Sequence, residues 1–333
     1  MQVAPDARTA GEDGRAVARL VRAGLCRVLP EGELPSDAEI TYPGYHAAAH
    51  RAQRLTRREP ARGLLNGFAA EVRAVGARAR ASAARTAERD ATGAWPVDLP
   101  PAEEHLLASL DRARTAIPKR PERAADLAAL TVAPWSARHG EVFGEAERVL
   151  GLVWPEMLAE VSSVVRQVAL LDGWGIDGFT DFTVHGVIFV NAERVVPADH
   201  ETGSLPPPLP LVEALVHEGT HNRCNAAAVT APFLTGTPAE LLRTPLRADP
   251  RPLAGLFQQV VVLARSVLLY ERLLAAPADT FGGGRAAVEA RRDLLAAQGV
   301  DGCATLDGHR DTLAEHGRDV AAQARQVLAK AAR

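Results

Sequence analysis

The chain has 333 residues, 47% hydrophobic and 5% aromatic, with 38 basic residues against 41 acidic ones and a formal net charge of −3. That length suits one large domain or two smaller ones, with a core built mainly from Leu, Val and Ala. The charge balance argues against a nucleic-acid or anionic-membrane binder, which needs a basic excess, and no run of about 18 apolar residues suggests a membrane span.

Residues 11–29 read as a helix, with Ala16, Val17, Leu20, Val21 and Leu25 on one side and Pro30 as its stop. Residues 45–58 and 61–91, rich in Ala and Arg, read as helices with solvated surfaces. His46 and His50 stand four apart in the first of these, with no acidic residue between them, and are expected on a solvated face rather than on a metal. Residues 93–101 form a connector, and helices are expected at 101–116, 121–131, 140–151 and 155–171. The texture then changes. Residues 172–178 are turn-rich, and 182–190, with β-branched and aromatic residues, reads as a strand.

A Pro-rich loop at 195–210 leads to a helix over about 210–228. An irregular stretch with prolines at 238, 245, 250 and 252 follows, then helices at 253–275, 285–298 and 305–332. The expected fold is mainly α with a small β-sheet (α+β), and the strand ahead of the 210–228 helix suggests a zincin-like strand-plus-metal-helix core. The change of texture suggests two parts: residues 1–175 as a helical scaffold with room for substrate recognition, and 176–333 as the metal-site domain.

The 210–228 helix contains His217-Glu218-Gly219-Thr220-His221. Histidines four apart on a helix project from one face, about a turn apart, and two such imidazoles can close on a single ion. Glu218 can reach a metal-bound water or a ligating histidine. Leu211, Val212, Leu215 and Val216 form an apolar stripe that packs the helix, and the prolines at 206, 207, 208 and 210 fix its start. A complete site needs a third protein ligand. No histidine lies between His221 and His309, so the downstream candidates are Glu240, Asp249, Glu271 and the neutral Gln258. Cys224 is expected to pack. Arg243, Arg247 and Arg251 sit in a proline-stiffened segment suited to gripping a carboxylate by guanidinium forks, or to pairing with Asp249.

The run His217-Glu-Gly-Thr-His-Asn-Arg-Cys-Asn225, followed by Leu246-Arg-Ala-Asp-Pro-Arg-Pro-Leu-Ala-Gly255 and an apolar helix, resembles the HExxH-motif peptide-modification proteins. These are described as iron(II)- and α-ketoglutarate-dependent peptide β-hydroxylases from gene clusters for ribosomally made, post-translationally modified peptides. The resemblance covers about 185–275. It implies that His217 and His221 bind iron, with Gln258 as third ligand, since family members often carry histidine or glutamine there. It also implies that Arg247 and Arg251 take the carboxylates of α-ketoglutarate, and that Glu218 supports catalysis by orienting a histidine or a bound water. The implied substrates are O₂ and a precursor peptide, which the 182–190 strand could bind as an added strand.

Two other readings stay open. One is a zinc metallopeptidase with Glu218 as general base. The other is a degenerate, non-catalytic partner that holds a peptide for another enzyme. The three cysteines, Cys26, Cys224 and Cys303, are odd in number and far apart, and the first residues carry no apolar signal core. A reduced, cytoplasmic setting is expected.

Overall fold

The computed structural model describes the chain apart from residues 58–61, 117–123, 198–203, 237–239, 245–246 and 282, and apart from the side chains of 62–66, 124, 243–249 and 278–279. It is mainly helical with a small sheet. In chain order the elements are α1 (Ala7–Leu25), α2 (Pro43–Thr56), α3 (Arg62–Asp90), α4 (Glu104–Ala116), α5 (Ala124–Ala129), β1 (Thr131–Ala133), α6 (Ala137–Val153) and α7 (Pro155–Val164). Then come β2 (Gln167–Asp172), β3 (Gly178–Phe179), β4 (Val187–Asn191), α8 (Ala192–Val195), α9 (Leu209–Thr230), β5 (Leu241–Thr244), β6 (Arg247–Pro252), α10 (Leu253–Ala275), α11 (Arg285–Asp307) and α12 (Glu315–Ala331).

Two compact units are built from interleaved segments. One comprises Met1–Ala10, Ala137–Ser163 and Glu193–Arg333; the other comprises Gly11–Ser136 and Val164–Ala192. This division differs from the split at 175/176 expected from sequence texture. The reason is packing: α6 lies against α9, and Val161 of α7 touches Gly219 of α9. These contacts bring residues 137–163 into the unit that carries the paired histidines.

The unit holding 11–136 and 164–192 contains the four-stranded sheet, in the order β1-β2-β4-β3. β2 and β4 are parallel, and the outer pairs are antiparallel. Every residue of β2 except Asp172 is buried, as suits a strand flanked on both sides. The sequence reading placed 167–171 at the end of a helix, because a short apolar run carries no period that separates strand from helix. The expected 182–190 strand begins only at Val187. Residues 182–184 form a 3-10 turn whose Asp181 side chain accepts from the Thr183 N–H.

β4 lies between β2 and β3, so it is not the edge strand that the peptide-binding expectation needs. Phe179 of β3 stacks on its partner Phe189 at 4.1 Å between ring centroids. His46 and His50 also depart from expectation. α2 packs on the 182–184 turn, which buries His46 with its ring centroid 5.7 Å from that of His185. The same packing sets His50 against Phe182 at 5.8 Å.

In the other unit, α9 and α10 form the centre, and α11 and α12 pack on α10. α10 is long and apolar enough to cross a membrane, with a mean hydropathy of 1.6, yet 72% of that window is buried within the protein. It is a core helix, and Arg265 sits wholly inside it. The Arg265 guanidinium donates to Glu160 at 2.5 Å and to the carbonyls of Val3 and Gln2 at 3.0 and 2.9 Å. Glu160 also accepts from the Asp6 N–H at 2.7 Å, and Arg223 donates to the Thr9 hydroxyl at 3.2 Å. The first residues are thereby fastened to the core. The stretch expected to be irregular before α10 holds a hairpin, with Leu242 of β5 opposite Arg251 of β6.

Candidate metal centre

The sequence anchors α9 before the motif begins. Pro208 caps its start, and Leu211, Val212, Leu215 and Val216 are all fully buried. Gly219, inside the motif, lets α7 approach: a Cβ there would lie 2.8 Å from Cγ2 of Val161. The Thr220 hydroxyl donates to the Val216 carbonyl at 2.7 Å and so needs no other partner in the core.

Another face of α9 is polar. Glu213, His217, His221 and Asn225 follow one another at intervals of four, a spacing that stacks side chains along one side of a helix. The His217 and His221 ring centroids are 5.2 Å apart, edge to face. Two imidazoles bound to one ion at about 2.0–2.1 Å put their centroids roughly 5 Å apart, so the pair fits a shared ion. The His217 side chain is 34% exposed. Desolvation of the rest of the ring, then the His221 imidazole and the guanidiniums of Arg194 and Arg291, push its pKa down to about 3. His217 is therefore neutral near pH 7, the form that ligates a metal. Glu218 is buried, with Oε1 3.9 Å from Nε2 of His217.

The two ends of this polar seam are tied to other helices. At the first, buried Glu213 accepts from Arg291 at 2.9 and 2.6 Å, from Arg194 at 3.4 Å and from the Tyr270 hydroxyl at 2.5 Å. Burial alone would raise the Glu213 pKa, but the Arg291 hydrogen bonds and the charges of Arg194 and Arg291 bring it down to about 2. At the second, Gln258 of α10 spans His221 and Asn225: its Oε1 lies 2.8 Å from His221 Nδ1, and its Nε2 donates to Asn225 Oδ1 at 2.9 Å.

The structure thus gathers His217, Glu218, His221 and Gln258. Of the other candidate ligands, Glu271 stands 13 residues beyond Gln258 on the same helix, or about 20 Å along it, and the side chain of Asp249 lies outside the described residues. That spacing sets Glu271 away from the contact between Gln258 and His221. Among the described residues no third His, Cys, Asp or Glu joins the two histidines in a metal-binding group. Arg251 is half-buried in β6, seven residues before Gln258, and the side chain of Arg247 lies outside the described residues. Cys224 is buried, and burial pushes its thiol up to about 12, which fits the expected packing role.

The sequence reading missed Glu213, Asn225, Arg194, Arg291 and Tyr270. The first two carried a signal, the continuation of the four-residue interval on both sides of the motif. The last three come from 19, 78 and 57 residues away from Glu213, and no local pattern marks them. Comparison of the chain with protein-family models and with curated proteins returned no match.

Proposed function

We propose that this chain is an iron(II)- and α-ketoglutarate-dependent hydroxylase acting on the β-carbon of a residue in a ribosomally made precursor peptide. The observation that carries the reading is the pair of imidazoles, His217 and His221, with ring centroids 5.2 Å apart on a packed helix, His217 being held in its neutral form near pH 7. Their donor chemistry suits iron(II), which when bound supplies O₂ activation with α-ketoglutarate as co-substrate. The buried Glu218 carboxyl beside His217 is the group that would orient this histidine or a water next to it. Arg251, with Arg247 four residues earlier in the same strand, is the candidate grip for the α-ketoglutarate carboxylates. That assignment rests on the resemblance of the 246–255 segment and on the fork geometry of guanidinium.

A second reading, a zinc peptidase with a zincin-like strand-plus-metal-helix core, is favoured by one observation. The Glu218 carboxyl lies 3.9 Å from His217 Nε2, close enough to take a proton from a water held at that imidazole. Third, a non-catalytic peptide-holding partner would need the same surface but no ion.

The decisive assay combines the anaerobically purified protein with iron(II), α-ketoglutarate, O₂ and candidate precursor peptides. Succinate and a peptide heavier by one oxygen are expected, and His217→Ala should lose both the bound iron and the activity. A cleaved peptide without added oxygen would replace the hydroxylase with the peptidase. Protein that takes up neither iron nor zinc would leave only the binding partner.

A further inference from the structure

Gln258 occupies the place where a third ligand was expected, yet its hydrogen bonds describe a different task. A glutamine side chain has one oxygen that only accepts and one nitrogen that only donates. The nitrogen is committed to Asn225 Oδ1 at 2.9 Å, which turns the oxygen to His221 Nδ1 at 2.8 Å. With the amide oriented this way, its oxygen toward the ring, the proton sits on Nδ1. A neutral imidazole carries one ring proton, so Nε2 is left with its lone pair. A ring nitrogen that donates to an oxygen is not available to a metal, and an amide oxygen so engaged is turned to the imidazole.

We infer that Gln258 is a positioning residue that fixes the tautomer and ring orientation of His221, with Asn225 holding the amide the right way round. Ligating histidines have their other ring nitrogen oriented in this way by carboxylates, carbonyls or waters. Here a side-chain amide does it, and it adds no charge between α9 and α10. Asn225 is one turn beyond His221 on α9, so the bridge reads two residues of one helix face from a single position on the next. The inference rests on the proposed metal site, and its two halves are measured separately.

The first measurement is nitrogen-15 imidazole NMR of the metal-free full chain. The expected result is His221 protonated at Nδ1 and bare at Nε2. The second is cobalt(II) binding by the full chain and two variants, with X-ray absorption of the bound ion. Gln258→Leu should mix the His221 tautomers and weaken cobalt binding ten- to a hundredfold, still at one ion per chain and with an unchanged number of donors. Gln258→Glu retains an acceptor and should restore both the Nδ1–H tautomer and affinity to within a few fold of the wild type.

A wild-type His221 protonated at Nε2 overturns the inference. So does a Gln258→Leu protein with unchanged cobalt affinity, which would make the residue a helix cross-link only. Loss of one oxygen donor from cobalt in Gln258→Leu would make Gln258 a ligand after all. Wild-type protein with the Nδ1–H tautomer but no cobalt binding would instead overturn the metal reading and leave the tautomer assignment standing.

Discussion

Gly219 decides how closely α7 approaches the histidine helix. Its neighbours in the motif face the seam and the core, and the glycine leaves room for Val161. Gly219→Ala would force a methyl into contact at 2.8 Å. Overpacking of this kind costs about 1–3 kcal/mol, although alanine is otherwise the better helix former. The expected outcome is a lower urea midpoint, largely recovered when Val161→Ala is added, and a double-mutant cycle would measure that coupling. Equal destabilisation with and without the valine would show that the clash is not the cause. At this scale the sequence was most readable where spacing is chemistry: the two histidines and Glu218 follow from a helical interval alone. The partners of Glu213 were not readable, because their proximity is made by the packing of helices.

Among the elements, α9 is held by side chains from other helices at Glu213 and at His221 and Asn225, and His217 lies between those ties. Glu213 is the tie to Tyr270 of α10 and Arg291 of α11, and it joins Arg194 of α8 as well. Removing the carboxylate leaves two guanidiniums and a phenol without their common acceptor. Breaking a buried pair from one side typically costs about 3–5 kcal/mol. Arg194 and Arg291 keep part of their side chains in solvent, so Glu213→Ala is expected at the lower end of that range in a thermal or urea melt. A loss below about 0.5 kcal/mol, the scale of a surface substitution, would refute the tie.

Most helices were legible from apolar periodicity, and α10 matches its expected limits of 253 and 275, whereas α11 runs on past 298 to Asp307 and α12 starts at Glu315 rather than at 305. β2 was not legible, because its run of apolar residues follows α7 without a break. The β5–β6 hairpin was hidden by the prolines inside it, Pro250 and Pro252 of β6, which read as irregular chain.

For the whole molecule, the two interleaved units differ in where they bury titratable groups. The unit with the sheet encloses His46 and His185. Burial, with Arg166 adding to it, brings His185 down to about 4 from its ordinary 6.5. His46 is held well below its ordinary value by burial, then by His185, His50, His105 and Arg166. For His185, between about 4 and 6.5 the unfolded chain binds more protons than the folded one, and the lowered His46 acts in the same direction. Stability is therefore complete above about pH 6.5 and is lost as the pH falls toward 4. One pKa unit corresponds to about 1.4 kcal/mol, so His185 alone lowers stability by about 3 kcal/mol across that window. Urea titrations at pH 7 and pH 4.5 should show the fall, and His185→Gln should make it smaller. An equal fall in the variant would assign the acid sensitivity to other groups. The sequence suggested two parts but not their interleaving, since a chain that leaves a unit and returns to it changes no local composition.

The fastening of the first residues to Arg265 also has a consequence in time. Val3 and Arg265 are 262 positions apart. A ribosome adding roughly 5–20 residues per second makes Val3 about 13–50 s before Arg265. Throughout that interval the Gln2 and Val3 carbonyls wait without the guanidinium that donates to them. The unit that carries the paired histidines closes only after translation has passed Arg265 in α10, so residues 2 and 3 must stay available until that helix has been made.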